Sequence, residues 1–594
     1  MSIRRREAMP VSSLNTLRRV GSAVGRGITG LFDLIRALFM LAVILALGTL
    51  MLQNWRSWQL PDTFFIHMDL RQPLIESGRA AGVFDFMVPA RTLAIEDVVA
   101  ALHDAAADPR VAGLAVMVGD RAPSLALMQE LEGALAELRA AGKRVVAWAD
   151  SFGEMSPGTQ AYAAAVPFGE VWLQPTGMVA ATGLITEELF FGGLLARHGI
   201  SVDIGLRGDF KTAMNPLLEQ GFTSAHRSAT ESVLQDLDDQ IGELVERHRA
   251  IPREEFRTMV QRAPLLDREA LEAGLVDRLG YLDEFHALAG EGRMVALAHY
   301  TQTRRRARVR EARDSEAPLI GYVRISGPIG RGPQQGFDLA SRSSRVPAER
   351  IAAAIVRAVE ADRVDALVVR VASPGGSPVA SETIRRALEV AREAGIPVVV
   401  SMGTVAASGG YWLAMDADRI YALPATITGS IGVLGGRLAI DEALERLGVH
   451  AEAVKTAPDA GMWSLYQPLG PSAVAKRDRI LDDLYARFVD GVARGRGLDR
   501  AQAEEAAQGR IWTGRQALDL GLVDALGGHR EAMTAAARLA GATNGAHRVV
   551  EIGGGGGWML AVGSTVATLV EQLGSTLDAT GREPWRMPSL RIEG

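Results

Sequence analysis

Short apolar runs of strand length alternate along this chain with longer stretches whose apolar residues recur at helical spacing. ALVVRV (Ala366–Val371) and PVVVSM (Pro397–Met402) flank ASETIRRALEVAREAG (Ala380–Gly395), which has the helical period and stops at a glycine. Strand, helix and strand in that order predict a right-handed parallel crossover. VAGLAVMV (Val111–Val118) and GKRVVAWA (Gly142–Ala149) show the same alternation earlier in the chain. Both parts therefore belong to the α/β class.

The pattern is a duplication. ALEAGLVDRLG (Ala270–Gly280) and ALDLGLVDALG (Ala517–Gly527) agree at eight of eleven positions. VAGLAVMV matches VDALVVRV (Val364–Val371), and GKRVVAWA matches GIPVVVSM (Gly395–Met402), both 253 residues apart. VWLQP (Val171–Pro175) matches IYALP (Ile420–Pro424), and ARHGI (Ala196–Ile200) matches ERLGV (Glu445–Val449), both at an offset of 249; the last pair is at 247. Order is kept throughout, so two sister domains are expected rather than a solenoid. The organisation read from this is a basic segment with an anchor over 1–55, a first repeat over 56–302, and a charged, non-periodic linker over 303–318. A second repeat follows over 319–548, then a tail over 549–594. In the tail, WMLAVGSTVATLVEQL after the pentaglycine Gly553–Gly557 predicts one more amphipathic helix.

One stretch fits neither period. ALFMLAVILALGTLML (Ala37–Leu52), with part of LFDLI before it, approaches the roughly 20 residues that span a bilayer. Arg4, Arg5, Arg6, Arg18, Arg19, Arg26 and Arg36 all precede it. That asymmetry predicts a cytoplasmic N-terminus and a chain that lies outside the inner membrane after Leu52, on the periplasmic side. GTLMLQNW lacks the small-residue site of a cleaved signal peptide, so a retained single-pass anchor is expected. At 594 residues the chain exceeds one hydrophobic core. A net charge of −6 gives no reason to expect a nucleic-acid partner. The absence of cysteine excludes disulfides, Cys-ligated zinc and thiol nucleophiles.

The chemistry lies in what the copies do not share. SPGGS (Ser373–Ser377) stands after one strand where the first copy has DRAPS (Asp120–Ser124). ASGGYW (Ala407–Trp412) stands where the first copy reads GEMSPGTQAY, with no serine and matching Gly-Gly. TGSIGV (Thr428–Val433) stands where the first copy has AATGL, and Ser430 falls on Ala181. Taken singly, SPGGS reads as a turn and Ser408 as a helix N-cap. Taken together, three Gly/Ser loops near strand ends, all absent from the sister copy, read as a catalytic site. Ser408 is then the nucleophile, with the Gly376 and Gly409 amides as the oxyanion hole. No histidine lies in these loops, although a triad can assemble from afar. The alternative base is a desolvated lysine. Two candidates, Lys211 in RGDFKTAMNP and Lys455 in EAVKTAP, each precede Thr-Ala; Lys211 falls on Ala460 and is not shared between copies.

Two repeats, an N-terminal anchor, SPGGS, ASGGYW and TGSIGV in the second repeat and GDFKTA in the first together resemble the S49 family of serine peptidases, in its long duplicated bacterial form. The resemblance spans about Trp55 to Ala540. It implies tandem crotonase/ClpP-like domains, Ser408 as nucleophile, Lys211 rather than Lys455 as base, Ser430 orienting the lysine, and Gly376 and Gly409 as oxyanion donors. It also implies a membrane-bound tetramer that degrades apolar peptides such as cleaved signal peptides. GPIGRGPQQGFD (Gly327–Asp338) has no counterpart in the family pattern. No metal or other cofactor is called for. The competing readings are a membrane-tethered scaffold with relic repeats and a crotonase-type acyl-CoA enzyme. Against the latter, no carboxylate occupies ASGGYW.

Overall fold

The computed structural model describes Met40 and residues 60–76, 93–120, 122–290, 293–313, 316–332, 345–543 and 545–553. From Thr63 onward these form one compact unit. The first repeat builds a six-stranded parallel sheet, in the spatial order Arg278–Leu279, Glu170–Leu173, Arg144–Ala149, Val111–Met117, Phe64–Asp69, Arg293–Ala296. The second builds an eight-stranded sheet whose spine is Val398–Ala407, Ala366–Ser373, Leu319–Ser326 and Arg548–Ile552. Ala366–Ser373 is buried at all positions but one, which is why it reads as a continuous apolar run. The helix after it, Pro378–Glu393, is the amphipathic stretch expected from its spacing. The Ser377 hydroxyl caps it by accepting from the Ala380 amide, and Gly395 ends it at φ +80°.

The duplication is visible bond by bond. Helices Ser224–Arg249 and Pro471–Arg496 both have 26 residues, and both end in a left-handed residue, Ala250 and Gly497. The Tyr162 hydroxyl donates to the Leu275 carbonyl at 2.9 Å, and the Tyr411 hydroxyl to the Leu522 carbonyl at 2.8 Å. Asp277 accepts from the Val171 amide and Asp524 from the Ile420 amide, each at 2.7 Å. The tyrosine of ASGGYW thus belongs to the shared framework and not to the chemistry.

Two features lock the repeats together. Ser201–Arg207 of the first repeat and Val433–Ala439 of the second form an antiparallel ladder, from Val433 opposite Arg207 to Ala439 opposite Ser201. Elsewhere Arg370, on the strand leading to SPGGS, is fully buried against two carboxylates of the first repeat, Glu130 at 2.5 Å and Glu76 at 2.9 Å. Glu76 also accepts from the Thr404 amide, on the strand leading to Ser408. A buried guanidinium with two such partners satisfies most of its donors, which its desolvation requires.

Several expectations meet a different structure. Most of the charged stretch 303–318 is helical, as the end of Leu297–Arg313, with Arg304 paired to Asp104 at 3.0 Å. Its arginines made it look like a spacer; it is instead packed on the first repeat. The second sheet runs past 548, through Ile552. Among the described residues no helix is long and apolar enough to cross a membrane. The expected anchor Ala37–Leu52, Met40 apart, and the expected helix over 558–573 lie outside the described residues.

Candidate active site

The strand Val398–Ala407 runs directly into Ser408, longer than the apolar run Val398–Met402 alone suggests. Ile427–Gly429 pairs beside its far end and leads to Ser430. The Ser408 amide donates to the Gly429 carbonyl at 2.9 Å, so the two serines leave neighbouring strands at the same level. Both have positive φ, +54° for Ser408 and +51° for Ser430, a conformation costly for a residue with a Cβ. Ser408 makes no capping hydrogen bond with its side chain, which excludes the plain N-cap reading. The helix after it, Gly409–Trp412, is one turn long. Its help to an anion therefore comes from the free amides of that turn more than from a long macrodipole.

Lys211 comes from the other repeat. The ladder ends at Arg207 opposite Val433, and four residues on the chain places Lys211 beside Ser430 and Ser408. Its Nζ lies 2.8 Å from the Ser430 carbonyl oxygen, 2.9 Å from the Ser430 hydroxyl and 3.1 Å from the Ser408 hydroxyl. A neutral amine has two N–H bonds and one lone pair. It can donate to the two Ser430 oxygens and accept from Ser408 O–H, which matches these three neighbours. Lys211 is buried, 4% exposed, and burial pulls its pKa down to about 8. Among the described residues no carboxylate pairs with it to oppose that shift. Lys455 is exposed, beside Asp459 and Gly461 of its own repeat.

The SPGGS loop lies against Ser408. The Gly375 amide donates to the Ser373 hydroxyl, the Ile329 amide to the Gly375 carbonyl, and the Ser377 amide to the Ile329 carbonyl. These bonds fix the loop on either side of Gly376, whose own amide is engaged by none of them. Gly375 has φ +101°, and a Cβ there would sit 2.5 Å from the Gly409 nitrogen. Gly376 has φ +151°, and its Cβ would sit 2.1 Å from the Ile329 oxygen. Gly375 is therefore required for the loop's packing on the nucleophile turn and Gly376 for its packing on Ile329, as well as for any approach of ligand. The Gly376 and Gly409 amides stand on adjoining backbones at Ser408, the arrangement an oxyanion needs.

Sequence reasoning missed a third element, Gln508–Arg510. The Phe210 amide donates to the Gln508 carbonyl and the Ser430 amide to the Arg510 carbonyl, both at 2.8 Å. A Cβ on Gly509 would lie 2.5 Å from the Lys211 nitrogen. The signal was present: at the 247 offset, Gly509 falls on Arg262, another glycine held only by the second copy. In the first copy, Thr159 falls on Ser408 at the 249 offset, while Gly158 takes the backbone place of Ser408, as helix N-cap with its amide donating to the Ala180 carbonyl. Thr159 is buried, and its hydroxyl is hydrogen-bonded to the Gly183 backbone. The first copy therefore has a hydroxyl next to that place, tied to structure. Among the described residues, no group of three or more His, Asp or Glu is placed to hold a metal ion.

The profile of Peptidase family S49 matches residues 137–296 and 390–543. Protease 4 of Salmonella typhi is 31% identical over 467 residues, covering 75% of this chain and 72% of that protein. Protease 4 of Haemophilus influenzae is 29% identical over 464 residues, covering 76% and 73%. The chloroplastic serine protease SPPA of Arabidopsis thaliana is 26% identical over 461 residues, covering 73% and 64%.

Proposed function

Because this chain belongs to peptidase family S49 and is a serine peptidase, we propose that it cleaves peptides through a Ser408–Lys211 dyad. The observation that carries the reading is the Lys211 amine, buried and held by three oxygens, one of them the Ser408 hydroxyl. In this mechanism neutral Lys211 takes the Ser408 proton as Oγ attacks the substrate carbonyl. Ser430 holds the amine so that its lone pair faces Ser408. The Gly376 and Gly409 amides stabilise the tetrahedral oxyanion, and the lysinium then protonates the leaving amine. Water, activated by the same amine, releases the acyl group. The family resemblance implies that each repeat is of the crotonase/ClpP type.

The substrates we infer are apolar peptides, including cleaved signal peptides. A cavity of about 500 Å³ beside the dyad supports this class; Leu189, Phe191, Phe210 and Ile511 give it an apolar wall, with Glu188 and His226 also in its lining. Enterococcus faecium has a relative, 34% identical over 170 residues, whose name is putative signal peptide peptidase SppA. The arginine-flanked run Ala37–Leu52 favours a single-pass inner-membrane protein with this site on the periplasmic face.

The partner inferred is further copies of the chain, four chains in all as the resemblance implies. The ladder that joins the repeats has an unused counterpart. At the 249 offset, Ser201–Arg207 corresponds to residues 450–456 and Val433–Ala439 to 184–190, and neither of those is a strand. Ile185, Leu189 and Val454 stand exposed there. Pairing 184–190 of one copy with 450–456 of the next would repeat the ladder head to tail, a heterologous contact that forms a ring when its rotation closes.

The reading is tested with a fluorophosphonate probe and a fluorogenic apolar peptide. Wild type should be labelled at Ser408 and should cleave, whereas Ser408→Ala should do neither. Labelling of Ser408→Ala would remove this serine from the mechanism. An unlabelled, inactive wild type would favour the scaffold reading.

A further inference from the structure

One hydroxyl beside the site has no task in the mechanism above. Ser381 is the fourth residue of helix Pro378–Glu393, fully buried, and its Oγ has no hydrogen-bond partner among the described residues. Its amide is used, donating to the Ser377 carbonyl at 3.0 Å. A buried hydroxyl without a partner is unfavourable, and native structures rarely retain one without a reason. Its location supplies the reason. The point where a Cβ of Gly409 would stand is 2.4 Å from Ser381 Oγ and 3.1 Å from the Gly376 nitrogen. The hydroxyl thus shares one small space with both backbones that would hold the oxyanion.

The sister copy serves as an internal control. Its helix Leu125–Ala140 has the same 16 residues and the same serine cap, Ser124 accepting from the Leu127 amide. The fourth residue there is Met128, also buried, and at the 249 offset Gly409 falls on Gln160. The scaffold therefore packs well with an apolar residue at this point. The hydroxyl occurs only in the copy that carries the nucleophile.

We propose that Ser381 is a positioning residue of the oxyanion hole. With no acceptor in the resting enzyme, its O–H is free to turn toward the negative charge that develops between the Gly376 and Gly409 amides. A dipole that meets charge only in the transition state raises kcat without tightening substrate binding. The cost is borne by the folded state, where the hydroxyl is unpaired.

The inference rests on the Ser408–Lys211 reading, and its test separates the two. In Ser381→Ala, kcat for an apolar fluorogenic peptide should fall about tenfold, with KM within twofold of wild type. Affinity for a peptide boronate, which presents a tetrahedral anion to the site, should fall by a similar factor. Melting temperature should stay level or rise, because alanine removes an unpaired polar group. Unchanged kcat and boronate affinity would overturn the proposal. A fall in activity that comes with a lower melting temperature or a parallel rise in KM would also overturn it, by showing a structural residue. Failure of the dyad reading would look different: the wild type itself would carry no phosphonate at Ser408.

Discussion

At the scale of the residue, the proposed dyad depends on one amine being neutral. Lys211 reaches a pKa of about 8 through burial alone, so the neutral fraction rises with pH through that value. kcat/KM should therefore climb to a plateau above pH 8, and an acidic optimum with the fold intact would contradict a lysine base. The same burial has a stability consequence. The folded-state pKa lies below the unfolded value of 10.5, so from pH 8 to 10.5 the unfolded chain binds more protons and stability rises with pH. At pH 7 the charged lysine costs roughly 3 kcal/mol, from about 1.4 kcal/mol per unit. Lys211→Met should thus be more stable than wild type at pH 7, with the gap closing as pH rises toward 10 in urea denaturation series. Choosing between Lys211 and Lys455 lay beyond residue pattern, since both precede Thr-Ala; only the resemblance favoured Lys211. What separates them is the ladder, and a pairing between segments more than 200 residues apart leaves no local mark in sequence.

At the scale of the element, the site is a meeting of loops at strand ends. The strands, the crossover helix Pro378–Glu393 and the glycine loops were legible, because period and turn residues are local signals. The turn Gln508–Arg510 carried one mark, Gly509 against Arg262, but its role of pressing on Lys211 from across the repeat boundary has no local sign. Gly509 has φ +75° and no room for a Cβ against the Lys211 backbone. Gly509→Ala should therefore leave circular dichroism unchanged while lowering kcat at least tenfold, by moving the amine from Ser408. Gly376→Ala acts on the other partner: a Cβ at the Ile329 oxygen displaces the loop. Loss of one oxyanion donor should lower kcat by about 10²–10³-fold.

At the scale of the whole molecule, the proposed mechanism makes the duplication a division of labour. One copy presents the amine, the other the hydroxyl and its amides, and the ladder brings them together within a single chain. Arg370 holds the same junction. Replacing it with methionine would leave Glu130 and Glu76 without their buried cation and should cost about 3–5 kcal/mol in chemical denaturation. A dyad formed within one chain also predicts that Ser408→Ala and Lys211→Ala chains, co-expressed in one assembly, do not restore each other. The measurement that bears most directly on the account is the rate of Ser408 acylation by a chromogenic ester, followed in single turnover from pH 6 to 10. Wild type should accelerate along a limb centred near pH 8, and Lys211→Ala should lose that limb and react about 10²–10⁴-fold more slowly at the plateau. A Lys211→Ala enzyme that acylates at the wild-type rate with the same limb would contradict it.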